Sequence, residues 1–463
     1  MLTDDIRGAY EIRSRELREG PITPEVDPAE IREFLADRYD FSRGLPLDDV
    51  VRDVEKMLRM WQVQVTHPRY FGLFNPSVTM ASVVADTLTA LYNPQLATWS
   101  TSPAANEIER HTLNWLASRF GLPADSLASF TTGGAEANLS AIIVALTRAF
   151  PACGDEGLRA LPAAPTFYVS AEAHHSFSKI AHLTGLGRQA VRAICVRDDL
   201  RMDLDDLARQ IEQDRGNGFA PFMVVGTAGT TSTGAIDPLG EIAAFCRDAG
   251  LWFHADAAWG GAIVVSSRLR HHLAGIECAD SITCDAHKWF SVPMGCGMFF
   301  CRHPESAERS FRADASYMPG RPSGDARDPY TSTIQWSRRF IGLKLFLSLA
   351  EQGEAGQAGM IERQTHLGDV LREALRASGW RIANDTPLPL VCFTRDGLDT
   401  AKFLRSVLSR QTAWMSEARV RGEKVVRACI TSFRTTENDI AEVVEQMNAL
   451  APEAVTSCIA AEA

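Results

Sequence analysis

The chain alternates between segments whose apolar residues recur every three or four positions and short runs that are apolar throughout. The first pattern predicts amphipathic helices, as in VVRDVEKMLRMWQVQV (50–65) and NEIERHTLNWLASRF (106–120). The second pattern predicts buried strands, as in TFYVS (166–170), SITCD (281–285) and GMFFCR (297–302). Because buried strands that alternate with helices are typical of βαβ units, we predict an α/β fold with a largely parallel sheet.

The same pattern divides the chain into three parts. Residues 1–60 form charged helical segments, which predict an N-terminal helical arm. Residues 61–350 hold most of the alternating strands and helices and predict one large α/β domain. Residues 351–463 predict a small C-terminal α/β domain, with strands in WRIAND, PLPLVCFTR and KVVRACITS and helices in AKFLRSVLS and ENDIAEVVEQMNAL.

Composition narrows the class of protein. The 463 residues carry a formal net charge of −11, and an acidic chain is a poor match for the phosphates of nucleic acid. No uncharged apolar stretch approaches the length of about 18 residues that a membrane span needs, and the start of the chain lacks the features of a signal peptide. The 10 cysteines form no CxxC pair and no cluster with zinc spacing. We expect reduced thiols, no metal site and a cytoplasmic location.

Two segments at predicted strand ends suggest ligand binding. In TTGGAEANLSAI (131–142), two glycines open a helix, and the free N–H groups of a helix N-terminus suit a phosphate. A plain glycine turn with a helix cap is the alternative. In LWFHADAAWGGA (251–262), an apolar strand ends in Asp256, where ligands of parallel sheets bind. The alternative is a structural carboxylate that caps the next segment.

Two further segments carry candidate catalytic residues. Lys288 lies between His287 and Trp289 in DAHKW, where desolvation would favour a nucleophilic amine, although a strand-end lysine reaching solvent is the alternative. The segment SAEAHHS contributes two adjacent histidines, one of which we expect to face the site. The other five lysines are expected on the surface: Lys56, Lys179, Lys344, Lys402 and Lys424.

Together these segments fit one cofactor. A phosphate turn, a strand-end aspartate and a desolvated lysine are the anchors that pyridoxal phosphate requires, because the carboxylate keeps the pyridine nitrogen protonated and the ring can then accept electrons. Their order along the chain, with Lys288 about 30 residues after Asp256, matches fold-type-I enzymes of this cofactor.

The motifs also resemble one family. HPRYFGLFNP, SPAANEIE, TTGGAEAN, SAEAHHS, GTTSTGAID, HADAAWGG, ADSITCDAHKW and QWSRRFIGLKLF occur in the order found in group II pyridoxal-phosphate decarboxylases, the family of aromatic L-amino acid decarboxylase and glutamate decarboxylase. The resemblance runs from about residue 60 to about residue 445. It implies a mostly parallel seven-stranded sheet in a cofactor-binding domain. It also implies a homodimer with active sites at the subunit interface and decarboxylation of an L-amino acid.

The resemblance also implies roles for particular residues. Lys288 resembles the Schiff-base lysine, Asp256 the pyridine partner, Ala258 the small residue under the ring and His174 the histidine stacked above it. His287 and the amides near Gly134 and Ala135 resemble phosphate ligands, Thr227 the threonine near the cofactor, and Arg427 the arginine that holds the substrate carboxylate.

The pattern departs from the family at five positions. Asp285 and Ala286 replace an Asn-Pro pair, and Ala135 replaces the serine of the aromatic enzymes. Leu73 occupies the position of a substrate-binding glutamine in glutamate decarboxylase, and Ala97 that of a pocket phenylalanine in the aromatic enzyme.

Phe71, Leu73, Phe74 and Ala97 predict an apolar substrate pocket, and hence an aromatic or bulky hydrophobic amino acid. Three alternatives stay open. The substrate could be acidic (aspartate, glutamate or cysteine sulfinate), the same scaffold could carry out oxidative deamination or amino transfer, or the chain could be a binding protein without activity.

A last candidate is Tyr330. It lies in SGDARDPYTSTIQWSRRF (323–340), whose polar, glycine- and proline-containing composition predicts a mobile loop. The resemblance implies that a loop tyrosine protonates the α-carbon after loss of carbon dioxide, and that its absence favours an aldehyde product. A tyrosine that merely packs within the loop is the alternative.

Overall fold

A computed structural model describes residues 2–313 and 326–455. The helices of this part of the chain are α1 (Leu2–Glu19), α2 (Pro28–Arg38), α3 (Leu47–Met60), α4 (Met80–Tyr92), α5 (Pro103–Arg119), α6 (Gly134–Ala149), α7 (Cys153–Glu156), α8 (Ser176–Leu183), α9 (Leu204–Gly216), α10 (Leu239–Ala249), α11 (Pro304–Phe311), α12 (Leu343–Ala377), α13 (Thr400–Ser409) and α14 (Glu437–Leu450). None of these helices is both long enough and apolar enough to cross a membrane.

A seven-stranded sheet forms the centre of the large domain. Its strands are β1 (Leu127–Thr131), β2 (Pro165–Ser170), β3 (Val191–Ile194), β4 (Ala220–Thr227), β5 (Trp252–Asp256), β6 (Ser281–Asp285) and β7 (Gly297–Cys301). They lie in the order β1-β7-β6-β5-β4-β2-β3. β7 runs antiparallel to both of its neighbours, and all other pairs are parallel. The predicted mostly parallel α/β sheet is thereby confirmed.

Both faces of this sheet are covered, as the unbroken apolar runs of its strands require. Successive side chains of a strand point to opposite faces, and β4 shows the result. Met223 and Val225 pack in a cluster with α6 and α8, whereas Val224 packs in the cluster on the other face. The sheet is therefore packed against other elements on both faces, and this packing positions its strand ends.

The small domain contains a four-stranded antiparallel sheet. Its strands are β8 (Arg381–Ile382), β9 (Leu390–Thr394), β10 (Ser416–Val420) and β11 (Glu423–Cys429), in the order β10-β11-β9-β8. The sequence predicts three of these strands and misses β10. β10 lies at the sheet edge with much of its surface exposed, so it lacks the apolar pattern of a buried strand.

The helix α12 connects the two domains. It is 35 residues long, and Gly353 interrupts it with a φ of 66°, a conformation that glycine adopts without strain. The predicted domain boundary after residue 350 falls in this helix, just before the interruption. The limits of the three predicted parts stay predictions.

Candidate active site

Three neighbouring strands end at the candidate site. Thr227, Asp256 and Asp285 are the last residues of β4, β5 and β6. Thr227 lies directly opposite Asp256 in the sheet register. Because these strands are parallel, their carboxyl ends meet at one edge of the sheet, where α/β proteins bind ligands.

A cavity of about 340 Å³ opens at this edge. Nine of the residues predicted from the sequence line it: Phe74, Gly134, Ala135, His174, Thr227, Asp256, Ala258, His287 and Lys288. The site is thus assembled from segments that lie up to about 200 residues apart in the chain, and the sheet brings them together.

Asp256 is held by two hydrogen bonds. Its Oδ2 accepts from the side-chain amide of Asn138 at 3.0 Å, and its Oδ1 accepts from the backbone N–H of Ala258 at 3.2 Å. The side chain is buried. Because a buried carboxylate is costly unless it is hydrogen-bonded, these contacts compensate for its burial and fix its direction.

A chain of hydrogen bonds continues behind Asp256. The Oδ1 of Asn138 lies 3.0 Å from His254 Nε2, and His254 Nδ1 lies 2.8 Å from Ser281 Oγ. Trp252 Nε1 donates to Ser281 Oγ at 2.9 Å. The Asn138 amide nitrogen is already the donor to Asp256, so its oxygen must accept from a protonated His254 Nε2. Every hydrogen bond in this series is therefore donated in the direction of Asp256.

His254 takes part in this chain as a neutral ring. Complete burial lowers the pKa of His254 to about 4, and the nearby charge of Asp256 only partly opposes this shift. At neutral pH the ring has one proton, on Nε2, and its Nδ1 accepts from Ser281. With the tautomer of His254 fixed, each hydrogen bond between Trp252 and Asp256 can form in one direction only.

The glycine turn before α6 leaves no room for side chains. A Cβ on Gly134 would lie 2.9 Å from Asp285 Oδ2, and a Cβ on Gly133 would lie 3.2 Å from His287 Cε1. Gly134 and Ala135 are the first residues of α6, so their backbone N–H groups have no acceptor within the helix. The turn therefore presents N–H groups and the positive end of a helix dipole to the cavity, an arrangement suited to an anion.

Lys288 projects into the cavity from the turn after β6. Its Nζ lies 3.0 Å from Asp285 Oδ2 and 5.7 Å from the centre of the Phe74 ring. The side chain is 22% exposed, so the amine is reachable from the cavity while most of the stem is covered.

Two histidines flank this amine. His287 Nδ1 accepts from the backbone N–H of Cys296 at 3.1 Å, and His174 Nδ1 accepts from Ser176 N–H at 3.2 Å. Desolvation lowers the pKa of both rings, while Asp285 acts in the opposite direction on His287 and Asp256 on His174. Both rings are thus neutral at neutral pH, with Nε2 as the donor.

Aromatic rings build one wall. Phe74 stacks on Trp259 with centroids 4.4 Å apart, and Trp259 stacks on Trp289 at 5.2 Å. The Arg427 guanidinium lies 5.0 Å from the Phe74 ring and donates to the carbonyls of Thr231 and Gly72. Its Nη2 is buried and has no hydrogen-bond partner among the described residues.

Four of the predicted substrate and catalytic residues are not among those that line the cavity: Arg427, whose guanidinium lies beside Phe74, and Phe71, Leu73 and Tyr330. Phe71 is fully buried in the core of the small domain, so the prediction that it lines the substrate pocket is wrong. Its N–H bonds to the carbonyl of Trp414 and its carbonyl accepts from Cys429, which directs the ring away from the cavity. Leu73 is 51% exposed and does not line the cavity within the described chain.

Tyr330 also lies outside the described cavity lining. Its ring packs against Trp336 with centroids 4.8 Å apart, and its N–H donates to the carbonyl of Ala97 at 3.2 Å. Asp328 accepts from the N–H of Trp99 at 2.7 Å. From residue 326 onward the predicted mobile loop is therefore anchored. Its earlier part lies outside the described residues.

The sequence reasoning missed the residues behind Asp256. Asn138 belongs to the motif that predicted a phosphate turn, and His254 precedes Asp256 by two positions on the same strand. The alternation of strand side chains could have placed His254 on the same face as Asp256.

Lys344 was expected on the surface and is buried. Its Nζ donates to the carbonyls of Pro293, Met294 and Gly295 at 2.9–3.3 Å, which compensates for the burial of its charge. It thereby ties α12 to the segment that follows Lys288.

The residues present fit pyridoxal phosphate. The cavity offers an amine, a carboxylate fixed by hydrogen bonds, and a glycine turn that a side chain would fill. Thr227 Oγ1 is a further buried polar atom without a partner among the described residues. Fold and site together define a fold-type-I pyridoxal-phosphate enzyme.

Comparison with known proteins identifies the family. Residues 28–395 match the model of the pyridoxal-dependent decarboxylase conserved domain. An aromatic-L-amino-acid decarboxylase from Bacillus atrophaeus is 27% identical over 96% of this chain and 94% of its own length. Cysteine sulfinic acid decarboxylase from Mus musculus is 31% identical over 79% of this chain and 74% of its own length. The solved structure of mouse CSAD superimposes with a TM-score of 0.90 at 26% identity, covering 97% of this chain and 98% of that chain.

The chain belongs to the pyridoxal-dependent decarboxylase family. It is a pyridoxal-phosphate-dependent lyase that decarboxylates an amino acid, as the sequence motifs predicted.

Proposed function

We propose that this enzyme removes the carboxyl group of an aromatic or bulky hydrophobic L-amino acid as carbon dioxide and releases the amine. The observation that carries the choice of substrate is the stacked pair Phe74 and Trp259, which gives the cavity an extended apolar wall. An aromatic or branched side chain would bury its surface against this wall.

Each lining residue has a proposed task. Lys288 would hold the cofactor covalently, and the turn at Gly134 and Ala135, with His287, would bind its phosphate. Asp256 would stabilise a proton on the ring nitrogen. Pyridoxal phosphate, when bound, supplies an electron sink for the electron pair left by the departing carboxyl group. The remaining lining residues would position the ring: His174 on one face, Ala258 on the other and Thr227 at its edge.

Arg427 would bind the substrate carboxylate. Its guanidinium is buried beside Phe74, forms no described ion pair, and keeps one N–H group without an acceptor. A substrate carboxylate would satisfy that group with a charge-assisted hydrogen bond. Leu73 would contribute to the pocket only in an assembly that covers its exposed side chain.

An acidic substrate is the second candidate. The indole Nε1 of Trp259 is a buried donor without an acceptor among the described residues. A second carboxylate or sulfinate could accept from it, which an apolar side chain cannot do. This observation supports aspartate, glutamate or cysteine sulfinate as the competing class.

The two candidates are separated by a direct screen. Purified enzyme loaded with pyridoxal phosphate is offered phenylalanine, tyrosine, tryptophan, leucine, aspartate, glutamate and cysteine sulfinate, and carbon dioxide and the organic product are measured by mass. Lys288→Ala provides the blank. The proposal expects the highest kcat/KM for an aromatic or bulky substrate, with an amine as product. A preference for an acidic substrate would favour the second candidate, and an aldehyde product would favour oxidative chemistry.

We also propose a homodimer with its active sites at the subunit interface. On α3, Leu47, Val51, Val54 and Leu58 recur at spacings of four and three, form one stripe, and are all exposed. A second copy could cover this stripe. In such an assembly Tyr330 would serve the site of the partner subunit and protonate the α-carbon there. A cytoplasmic location is part of the proposal and is supported by the nine free cysteines of the described chain.

A further inference from the structure

Asp285 places a second carboxylate beside the lysine. Its Oδ2 lies 3.0 Å from Lys288 Nζ, and its side chain is only 1% exposed. Its other oxygen, Oδ1, is buried without a hydrogen-bond partner among the described residues. A buried carboxylate is costly unless hydrogen bonds or a cation in contact with it compensate for the burial.

His287 does not supply that cation. Its Nε2 lies 3.8 Å from Asp285 Oδ2, which is beyond a hydrogen bond, and burial lowers the pKa of the ring. Its Nδ1 already accepts a hydrogen bond from the Cys296 N–H, which requires an unprotonated nitrogen. The counter-charge for Asp285 in the described site is therefore the ammonium of Lys288.

The first turn of α6 lies close to this carboxylate. A Cβ on Gly134 would lie 2.9 Å from Asp285 Oδ2, which shows how closely the first turn of α6 packs on this oxygen. The other titratable groups near the pair are Asp256 at the end of β5, His174 before α8, His287, and the buried Cys284 and Cys296. Among these groups Asp285 makes the shortest described contact with the amine.

We propose that Asp285 is a positioning residue for Lys288: it holds the side-chain ammonium in place whenever the amine is not bonded to the cofactor. An amine condenses with an aldehyde only in its uncharged form, with loss of one water. The ammonium must therefore first release one proton to solvent and give up its contact with Asp285. Asp285 thus opposes cofactor attachment and stabilises the lysine between attachments.

Two ligands distinguish the proposed effect of Asp285 on Lys288 from simple electrostatic repulsion between Asp285 and the phosphate of the cofactor. Cofactor-free protein is titrated with pyridoxal phosphate and with 4′-deoxypyridoxine 5′-phosphate, which has the same phosphate but a methyl group in place of the aldehyde. In Asp285→Asn, we expect pyridoxal phosphate to bind about tenfold more tightly at pH 7. The affinity for the analogue should increase less, because the analogue has no aldehyde to react with Lys288 and leaves its ammonium in contact with residue 285.

A lysine-free background is the matched control. In Lys288→Met, adding Asp285→Asn should change the affinities for the two ligands by the same factor. Equal tightening of both ligands in the presence of Lys288 would show that Asp285 acts only on the phosphate. Unchanged or weaker binding of pyridoxal phosphate would overturn the proposal outright.

Unfolding of the cofactor-free protein tests the pair without any ligand. Lys288→Met should lower the Tm more when Asp285 is present than in the Asp285→Asn background, because it leaves a buried carboxylate without its counter-charge. Strictly additive Tm changes would contradict the proposed contact. This measurement also reveals whether either variant fails to fold.

Discussion

The side-chain amide of Asn138 donates a 3.0 Å hydrogen bond to the carboxylate of Asp256, and its oxygen accepts from His254. Asn138 thus couples the carboxylate at the site to a neutral histidine beneath the sheet edge. This support compensates for the burial of the Asp256 carboxylate, which would be costly without hydrogen bonds.

Substitution of Asp256 tests its role at the ring nitrogen. Asp256→Asn keeps the shape of the side chain but removes the charge that would stabilise a protonated ring. We expect pyridoxal phosphate to remain bound while kcat falls about 100-fold or more. Steady-state kinetics and the visible absorbance of the bound cofactor measure both quantities. Asp205→Asn, an exposed carboxylate on α9, should leave kcat unchanged. A nearly normal kcat in Asp256→Asn would remove Asp256 from the catalytic machinery.

Lys288 is expected to hold the cofactor. Lys288→Ala should abolish turnover and remove the absorbance of covalently held pyridoxal phosphate while the fold is retained, because no other lysine is among the residues that line the described cavity. Lys179→Ala, at an exposed position on α8, should behave as the wild type. Borohydride reduction followed by peptide mapping should label the segment that contains Lys288, and a label elsewhere would refute the assignment.

Stability should depend on pH through His254. Its pKa is about 4 in the folded protein against a reference value of 6.5, so the unfolded state binds more protons between these values. The free energy of unfolding should be independent of this group above pH 6.5 and should fall as pH drops towards 4, by at most about 3 kcal/mol.

Urea titrations at several pH values measure this dependence. His67, whose pKa is also lowered to about 4 by burial, adds a similar contribution, so the comparison is between wild type and His254→Gln. The variant should show a smaller loss of stability between pH 6.5 and 4. If the free energy of unfolding depended on pH identically in the two proteins, the pKa of His254 would not be lowered in the folded state.

Tyr330→Phe tests the proposed proton donor. Loss of the phenol should divert product from amine to aldehyde, ammonia and hydrogen peroxide, because the electron-rich carbon is then protonated more slowly and dissolved oxygen, the oxidant, takes up its electrons before water releases the ammonia. Tyr317, in the polar stretch just before, is the matched site for the same substitution. If Tyr317→Phe changes the product and Tyr330→Phe does not, the assignment of Tyr330 is incorrect.

The exposed stripe on α3 predicts how the dimer can be broken. Leu58→Glu should shift the mass measured by sedimentation or light scattering from dimer to monomer, since it places a charge in an apolar contact. Lys56→Glu introduces the same side chain on the opposite side of α3 and should leave the mass unchanged. A monomeric wild type would exclude the proposed assembly.

The sequence predicted the central sheet well, for a physical reason. Strands such as β4 and β6 are covered on both faces and so are apolar throughout, a pattern that is visible without any knowledge of their partners. The same holds for residues fixed at strand ends, such as Asp256. Where β10 has one exposed edge, the pattern weakens and the strand was missed.

Contacts that depend on distant backbone were harder to predict. Lys344 looked like a surface lysine because its three carbonyl partners lie about 50 residues away in the chain. Phe71 looked like a pocket residue because it neighbours Phe74 in sequence. Its backbone, however, is hydrogen-bonded to the small domain, and its side chain packs in the core of that domain. Local patterns do not report such long-range pairings.

The direction of the hydrogen bonds from Trp252 to Asp256 has a consequence for ligand choice. Both oxygens of Asp256 already accept a hydrogen bond. The carboxylate can therefore only accept further hydrogen bonds from a ligand in the cavity, and it cannot donate one. A heterocycle whose nitrogen brings its own proton can be held there, whereas a ring with a bare acceptor at that position meets repulsion. We therefore expect the site to discriminate between otherwise similar aromatic rings by the basicity of that nitrogen, before any reaction begins.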